Sequence, residues 1–102
     1  MNGLPDSLRG AIDLHVPCAP DVVPRRFDAI DVARAAAAAG MSAVVLTSHA
    51  TPTMATAMLA AKVTPEVAVH GALVLNDCSG GFHPAAVEAA LALGARAIWM
   101  PT

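Results

Sequence analysis

The chain has 102 residues, 56% hydrophobic and 14% charged, with a formal net charge of −2. That length suits one domain spanning 1–102, and the near-neutral balance gives no reason to expect nucleic acid or an anionic membrane as partner. Soluble domains average about 25% charged residues, so part of this surface is expected to be covered, by a second copy in a homo-oligomer or by a missing portion of a larger fold.

Residues 11–16 are an apolar run ending in Asp13-Leu14-His15-Val16 and predict the first strand. Side chains alternate along a strand, which would put Asp13 and His15 on one face. In parallel α/β proteins the carboxyl ends of the strands form the ligand-binding rim. An acid and an imidazole there point to a metal or hydrolase site. The next in-phase residue is Pro17, which has no ligating side chain. Residues 17–24 hold three prolines and Asp21 and predict a loop. Arg25-Arg26 then offers a basic pair, suited to solvent or to an anionic substrate.

Residues 27–39 predict a helix, with Asp28 and Asp31 in its first turns and Gly40 as its stop. Residues 43–46 are the second strand, and His49 follows in the polar loop 47–53. Residues 53–62 predict the second helix and 67–75 the third strand, which holds His70 as a hydrogen-bonded core histidine. Residues 76–81 are a loop. Pro84 opens a helix to residue 93, with His83 at its N-cap and Gly94 as its stop. Residues 95–100 are the fourth strand.

No formally charged residue lies between Arg34 and Lys62, a stretch long enough to cross a bilayer. Gly40, Ser42 and the polar loop 47–53 interrupt it, so it reads as helix, strand and helix, not as a membrane span. The N-terminus has no signal-peptide pattern. Cys18 and Cys78 lack CxxC spacing and read as reduced thiols of a cytoplasmic protein.

The fold class is therefore α/β: a parallel sheet of about four strands with three helices, (βα)3β. Near-continuous apolar strands indicate a sheet covered on both faces. The arrangement is read as an incomplete TIM-type (β/α)8 barrel, since a whole barrel takes about 250 residues. A self-contained open sheet, with its ligand cleft where strand order reverses, is the other architecture.

The run Asp13-Leu14-His15-Val16-Pro17-Cys18-Ala19-Pro20-Asp21 resembles the opening of the DUF6282-type family of amidohydrolase-like, PHP-like TIM-barrel proteins. Gly40-Met41 with residues 43–46, His49 with Pro52-Thr53, residues 80–91 and Trp99-Met100-Pro101-Thr102 extend the resemblance. It covers nearly the whole chain and the N-terminal portion of the family's barrel. It implies a metal-dependent hydrolase acting on C–N or ester-type bonds of a small-molecule substrate. His15 and His49 would be metal ligands, with a divalent metal, zinc first, as cofactor. Asp13 would orient His15 or ligate directly, and Asp21 would act at the rim. Pro17 stands where the family has the second histidine of a His-x-His pair, and Thr47 where it often has lysine. The alternative function is a non-catalytic barrel fragment that self-associates or joins the missing barrel portion.

Overall fold

The computed structural model describes residues 6–102. Residues 1–5, most of the segment lacking a signal-peptide pattern, lie outside the described residues. After a short 3-10 turn at Asp6–Leu8 the elements run β1 (Ile12–Pro17), α1 (Ala29–Ala38), β2 (Ala43–Thr47), α2 (Met54–Ala61), β3 (Ala68–His70), β4 (Ala72–Val74), α3 (Pro84–Ala92) and β5 (Ala97–Trp99). A second 3-10 turn, Asp77–Ser79, lies between β4 and α3. The strands form parallel sheets of order β1-β2-β3 and β4-β5. No helix among the described residues is long and apolar enough to cross a membrane.

The sequence predicts one uninterrupted strand over 67–75; the chain divides it at Gly71. A Cβ at Gly71 would meet the Cα of Met54, the Met54 nitrogen at 2.5 Å and the Thr53 carbonyl carbon at 2.8 Å. The start of α2 thus lies directly against the strand backbone, an approach open to glycine alone. Thr53 seals the crossing. Its hydroxyl donates to the Leu46 carbonyl at 2.6 Å and accepts from the Ala72 amide at 2.8 Å. The Thr53 amide donates to the Ala72 carbonyl at 3.1 Å. A buried side chain therefore joins the end of β2 to the start of β4 where strand-to-strand pairing stops.

The helices form where expected and for local reasons. Asp28 caps α1 reciprocally: its carboxylate accepts from the Asp31 amide at 2.8 Å, and Asp31 accepts from the Asp28 amide at 3.1 Å, a capping box. α1 then buries Ala29, Ala33 and Ala36 in a cluster with Val44, Leu46, Ala57, Ala60 and Val69. Alanine at the contacts lets the helix lie close to β-branched strand residues. α3 starts with Pro84, and His83 at its N-cap accepts from the Ala86 amide through Nδ1 at 3.4 Å. A second cluster joins Leu73 and Leu75 to Met54, Ala90 and Ala95.

Register and core membership separate two sheet faces. Val44, Leu46, Val69, Leu73 and Leu75 face the helices. By alternation, Val45, Thr47, His70, Ala72, Val74 and Trp99 lie on the inner face. His70 pairs in register with Val45. Burial and the nearby Arg96 charge push its imidazole down from the ordinary range. Its ring makes no hydrogen bond among the described residues, unlike the hydrogen-bonded core histidine the sequence suggests.

Candidate functional site

The expected shared face of Asp13 and His15 does not form. The pairing of β1 with β2 advances from Asp13↔Val44 to Val16↔Leu46, three residues against two. This bulge inserts an extra residue and breaks the period-two alternation. Asp13 turns to the helix side, where it lines a groove of about 300 Å³ with Leu8, Val16, Phe27, Val32 and Val44. The Asp13 carboxylate accepts from the His15 backbone amide at 3.1 Å, so it supports the bulge and not the imidazole. The His15 ring turns inward. It lies edge-on to Trp99 at 5.4 Å and to His49 at 6.2 Å between centroids.

The loops after β1, β2 and β4 and the segment after β5 meet at the carboxyl ends of the strands around a cleft of about 560 Å³. Asp21, Arg25, His49, Asn76, Asp77 and Thr102 are among its lining residues. The first wall is held by backbone bonds across its loop: Ala19 N to Phe27 O at 2.8 Å and Ala29 N to Ala19 O at 3.0 Å. Inside that loop the Asp21 side chain is 3% exposed. One of its oxygens accepts from Arg25 Nε at 3.0 Å; the other accepts from the Val22 amide at 2.7 Å and the Ser48 hydroxyl at 3.1 Å. Burial alone would raise the Asp21 carboxyl. The hydrogen bonds from Arg25, Val22 and Ser48, with the guanidinium charge, outweigh it and hold the group below the ordinary carboxylate range. At neutral pH Asp21 is therefore an anion whose oxygens are engaged by the protein, an anchor more than a proton carrier. The same two loops meet at Ser48, whose Oγ also accepts from the amides of Ala50 and Thr51 at 3.2 and 3.3 Å.

His49 is fixed from three directions. Its carbonyl accepts from Asn76 Nδ2 at 3.0 Å and from the Cys78 thiol at 3.2 Å. Its Nδ1 shares a hydrogen bond of 2.8 Å with Thr102 Oγ1, the imidazole tautomer deciding which atom donates. The Thr102 amide donates in turn to Asn76 Oδ1 at 2.9 Å. Asn76 thus ties the residue after β2 to the segment after β5. With Nδ1 engaged, Nε2 is the ring nitrogen left for a ligand.

His15 and His49 are accordingly brought together, Asp21 stands on the neighbouring wall, and Asp13 stands apart. Thr47 is fully buried, and its Oγ1 has no hydrogen-bond partner among the described residues; the same holds for the buried Trp99 Nε1. Unpaired buried polar atoms are uncommon in folded proteins. Both belong to the inner face, where Trp99 packs against His15. Sequence reasoning missed Ser48, Asn76, Trp99 and Thr102. Ser48 leaves a local signal, a hydroxyl two and three residues before the amides it accepts from. Asn76 and Thr102 leave none, because their partners are 26 or more residues away.

No group of three His, Cys, Asp or Glu side chains is gathered closely enough among the described residues to hold a metal ion. Cys18 and Cys78 are free thiols. Fold and cleft together define a parallel α/β protein with a cleft of mixed polar and apolar lining at the strand carboxyl ends. The chain belongs to DUF6282, a family of unknown function whose model matches residues 10–102. No curated protein and no solved structure matches it.

Proposed function

We propose that this chain is the N-terminal part of an amidohydrolase-like (β/α)8 barrel that hydrolyses a C–N or ester-type bond of a small molecule, with His15 and His49 holding a divalent metal. The observation that carries this reading is the inward-facing imidazole pair, 6.2 Å between centroids, beside a cleft at the strand carboxyl ends. The barrel reading is supported by curvature. β1 ends the three-stranded sheet and β5 belongs to the two-stranded one, yet the His15 and Trp99 rings lie 5.4 Å apart on the inner face, as strands curling around that face would bring them. The free thiols suit a cytoplasmic setting.

The residues present fit such a metal as a pair. Two imidazoles on one tetrahedral zinc bring their centroids to roughly 5 Å, within a small rotation of the observed 6.2 Å. Zinc sites use three or four protein ligands, so the remaining positions would fall to solvent, substrate or another chain. A bound divalent metal supplies a water of lowered pKa and polarises the carbonyl under attack. The chain's own groups do the positioning. Thr102 fixes the His49 ring, Trp99 packs against His15, and Asp21 holds Arg25 at the cleft wall.

The non-catalytic alternative has one observation in its favour. Ile12 and Leu14 on β1, at the end of the strand order, are 60% and 59% exposed, as a strand covered by a second copy or the rest of a barrel would leave them.

Titration of purified protein with Zn²⁺, followed by assay on amide and ester substrates, tests the proposal. Binding near one equivalent, weakened at least tenfold by His15→Ala and by His49→Ala, is expected. Pro17→His should tighten it, because Pro17 pairs with inner-facing Thr47 at the end of β1. Binding indifferent to all three substitutions, with no hydrolysis, would refute it.

A further inference from the structure

Arg25 and Arg26 are a basic pair in sequence, but the structure gives them different surroundings. The Arg26 guanidinium lies over the Phe27 ring, 5.0 Å from its centroid. Arg25 lines the cleft with its side chain 29% exposed. Its Nε is spent on Asp21 at 3.0 Å, and Asp21 is itself held by Ser48 and the Val22 amide. The two terminal nitrogens of Arg25 have no partner among the described residues. A guanidinium fixed at Nε presents those nitrogens as an oriented fork, the geometry that pairs with two oxygens of one oxyanion.

We infer that the cleft takes a small amide bearing a single carboxylate, with the carboxylate on the Arg25 terminal nitrogens. This rests on the hydrolase reading and names its substrate class. The charge of the wall favours a carboxylate over a phosphate dianion. Asp21, Arg25 and Asp77 are the lining residues with fixed charge, so the wall is net negative by one. A dianion would meet that excess, whereas a monoanion with an amide N–H leaves a donor for Asp77 or for the engaged side chains around His49. The cleft, about 560 Å³, is of the size that holds small ligands.

N-acetylglycine, its neutral amide N-acetylglycinamide, and inorganic phosphate are the probes, each titrated into the whole chain and followed by NMR at the Arg25 Nε–H and the Thr102 amide. N-acetylglycine should saturate these shifts with at least tenfold preference over both comparators. Arg25→Ala should weaken it about ten- to a hundredfold, the range of a charge-assisted pair. Because Arg25→Ala strips the buried Asp21 of its partner, Arg25→Lys, which keeps the charge and loses the fork, is measured beside it and should lose about tenfold. Equal binding of acid and neutral amide, tighter binding of phosphate, an absence of saturable shifts, or an Arg25→Lys protein that binds undiminished would each overturn the inference. Arg25-dependent binding without hydrolysis would leave it standing and remove the hydrolase reading; hydrolysis with a KM unchanged in Arg25→Lys would do the reverse.

Discussion

Gly71→Ala should be among the most damaging single-methyl changes in this chain. The added carbon would sit 2.5 Å from the Met54 nitrogen and 2.8 Å from the Thr53 carbonyl carbon, with the Met54 Cα against it as well. These are backbone atoms at the start of α2, so no side-chain rotation relieves the contact. Relief requires α2 to move off the strand, which would open the Thr53 hydrogen bonds to Leu46 and Ala72. Overpacking a core commonly costs about 1–3 kcal/mol; with backbone at each of the three nearest contacts the loss belongs at about 3 kcal/mol or above. For a domain of this size that lowers Tm by roughly 12–24 °C. Thermal and urea unfolding followed by circular dichroism measure it. Gly80→Ala is the internal comparison: nothing lies within 4 Å of its Cβ position, but its φ is +105°, so it pays only the left-handed backbone cost of about 1–2 kcal/mol. A Gly71→Ala protein within about 1 kcal/mol of wild type would show that the close approach at the strand break is not what shapes the sheet.

Two threonines six positions apart should respond in opposite directions to the same substitution. Thr53→Val leaves the buried Ala72 amide and Leu46 carbonyl without their hydroxyl partner and should cost about 2–4 kcal/mol in urea unfolding. Thr47→Val removes a buried hydroxyl that has no protein partner; stability should hold or rise by up to about 1 kcal/mol, while Zn²⁺ affinity falls if that hydroxyl faces the bound site. Asp21 sets an acid limit. Its folded carboxyl lies below the ordinary range, so its stabilisation is fully present above the unfolded value of about 4 and is lost as pH falls through the lower folded value. Unfolding midpoints of wild type should therefore drop on acidification below about pH 4 more steeply than those of Asp21→Asn, which starts less stable at neutral pH; parallel profiles would contradict the role given to the carboxylate.

The elements were legible because their signals are local. Asp28 with Asp31, His83 with Pro84, and the glycines after α1 and α3 each act within a few residues. The parallel pairing followed from apolar strands alternating with alanine-rich helices. Two structural features were not legible, and both are contacts between distant segments. The break at Gly71 depends on the approach of Met54, 17 residues earlier in the chain. The bulge in β1 depends on how Asp13 and Val16 register against Val44 and Leu46. Nothing in Asp13-Leu14-His15-Val16 reveals that register, so strict alternation assigned the acid and the imidazole to one face.

That bulge governs what the site can be. In a regular strand Asp13 would have stood beside His15 as orienter or third ligand. The shifted register sends Asp13 to the α1 groove and leaves His15 inward against Trp99 and His49. The buried acid of the cleft is then Asp21, whose oxygens are committed to Arg25, Ser48 and Val22. The two carboxylates nearest the imidazole pair in the sequence both serve structure, one holding the bulge and one holding a cation. What the cleft offers a ligand is therefore imidazole nitrogen and guanidinium N–H, together with the exposed Asp77. Such a set recognises oxygen-bearing small molecules well, and Asp77 is the carboxylate of the cleft that the described residues leave free beside His49. For the proposed hydrolysis the candidate proton acceptors among the described residues are the imidazoles and Asp77. The pH profile of any activity distinguishes these: an acid limb near 6–7 marks an imidazole, and one near 4 marks a carboxylate.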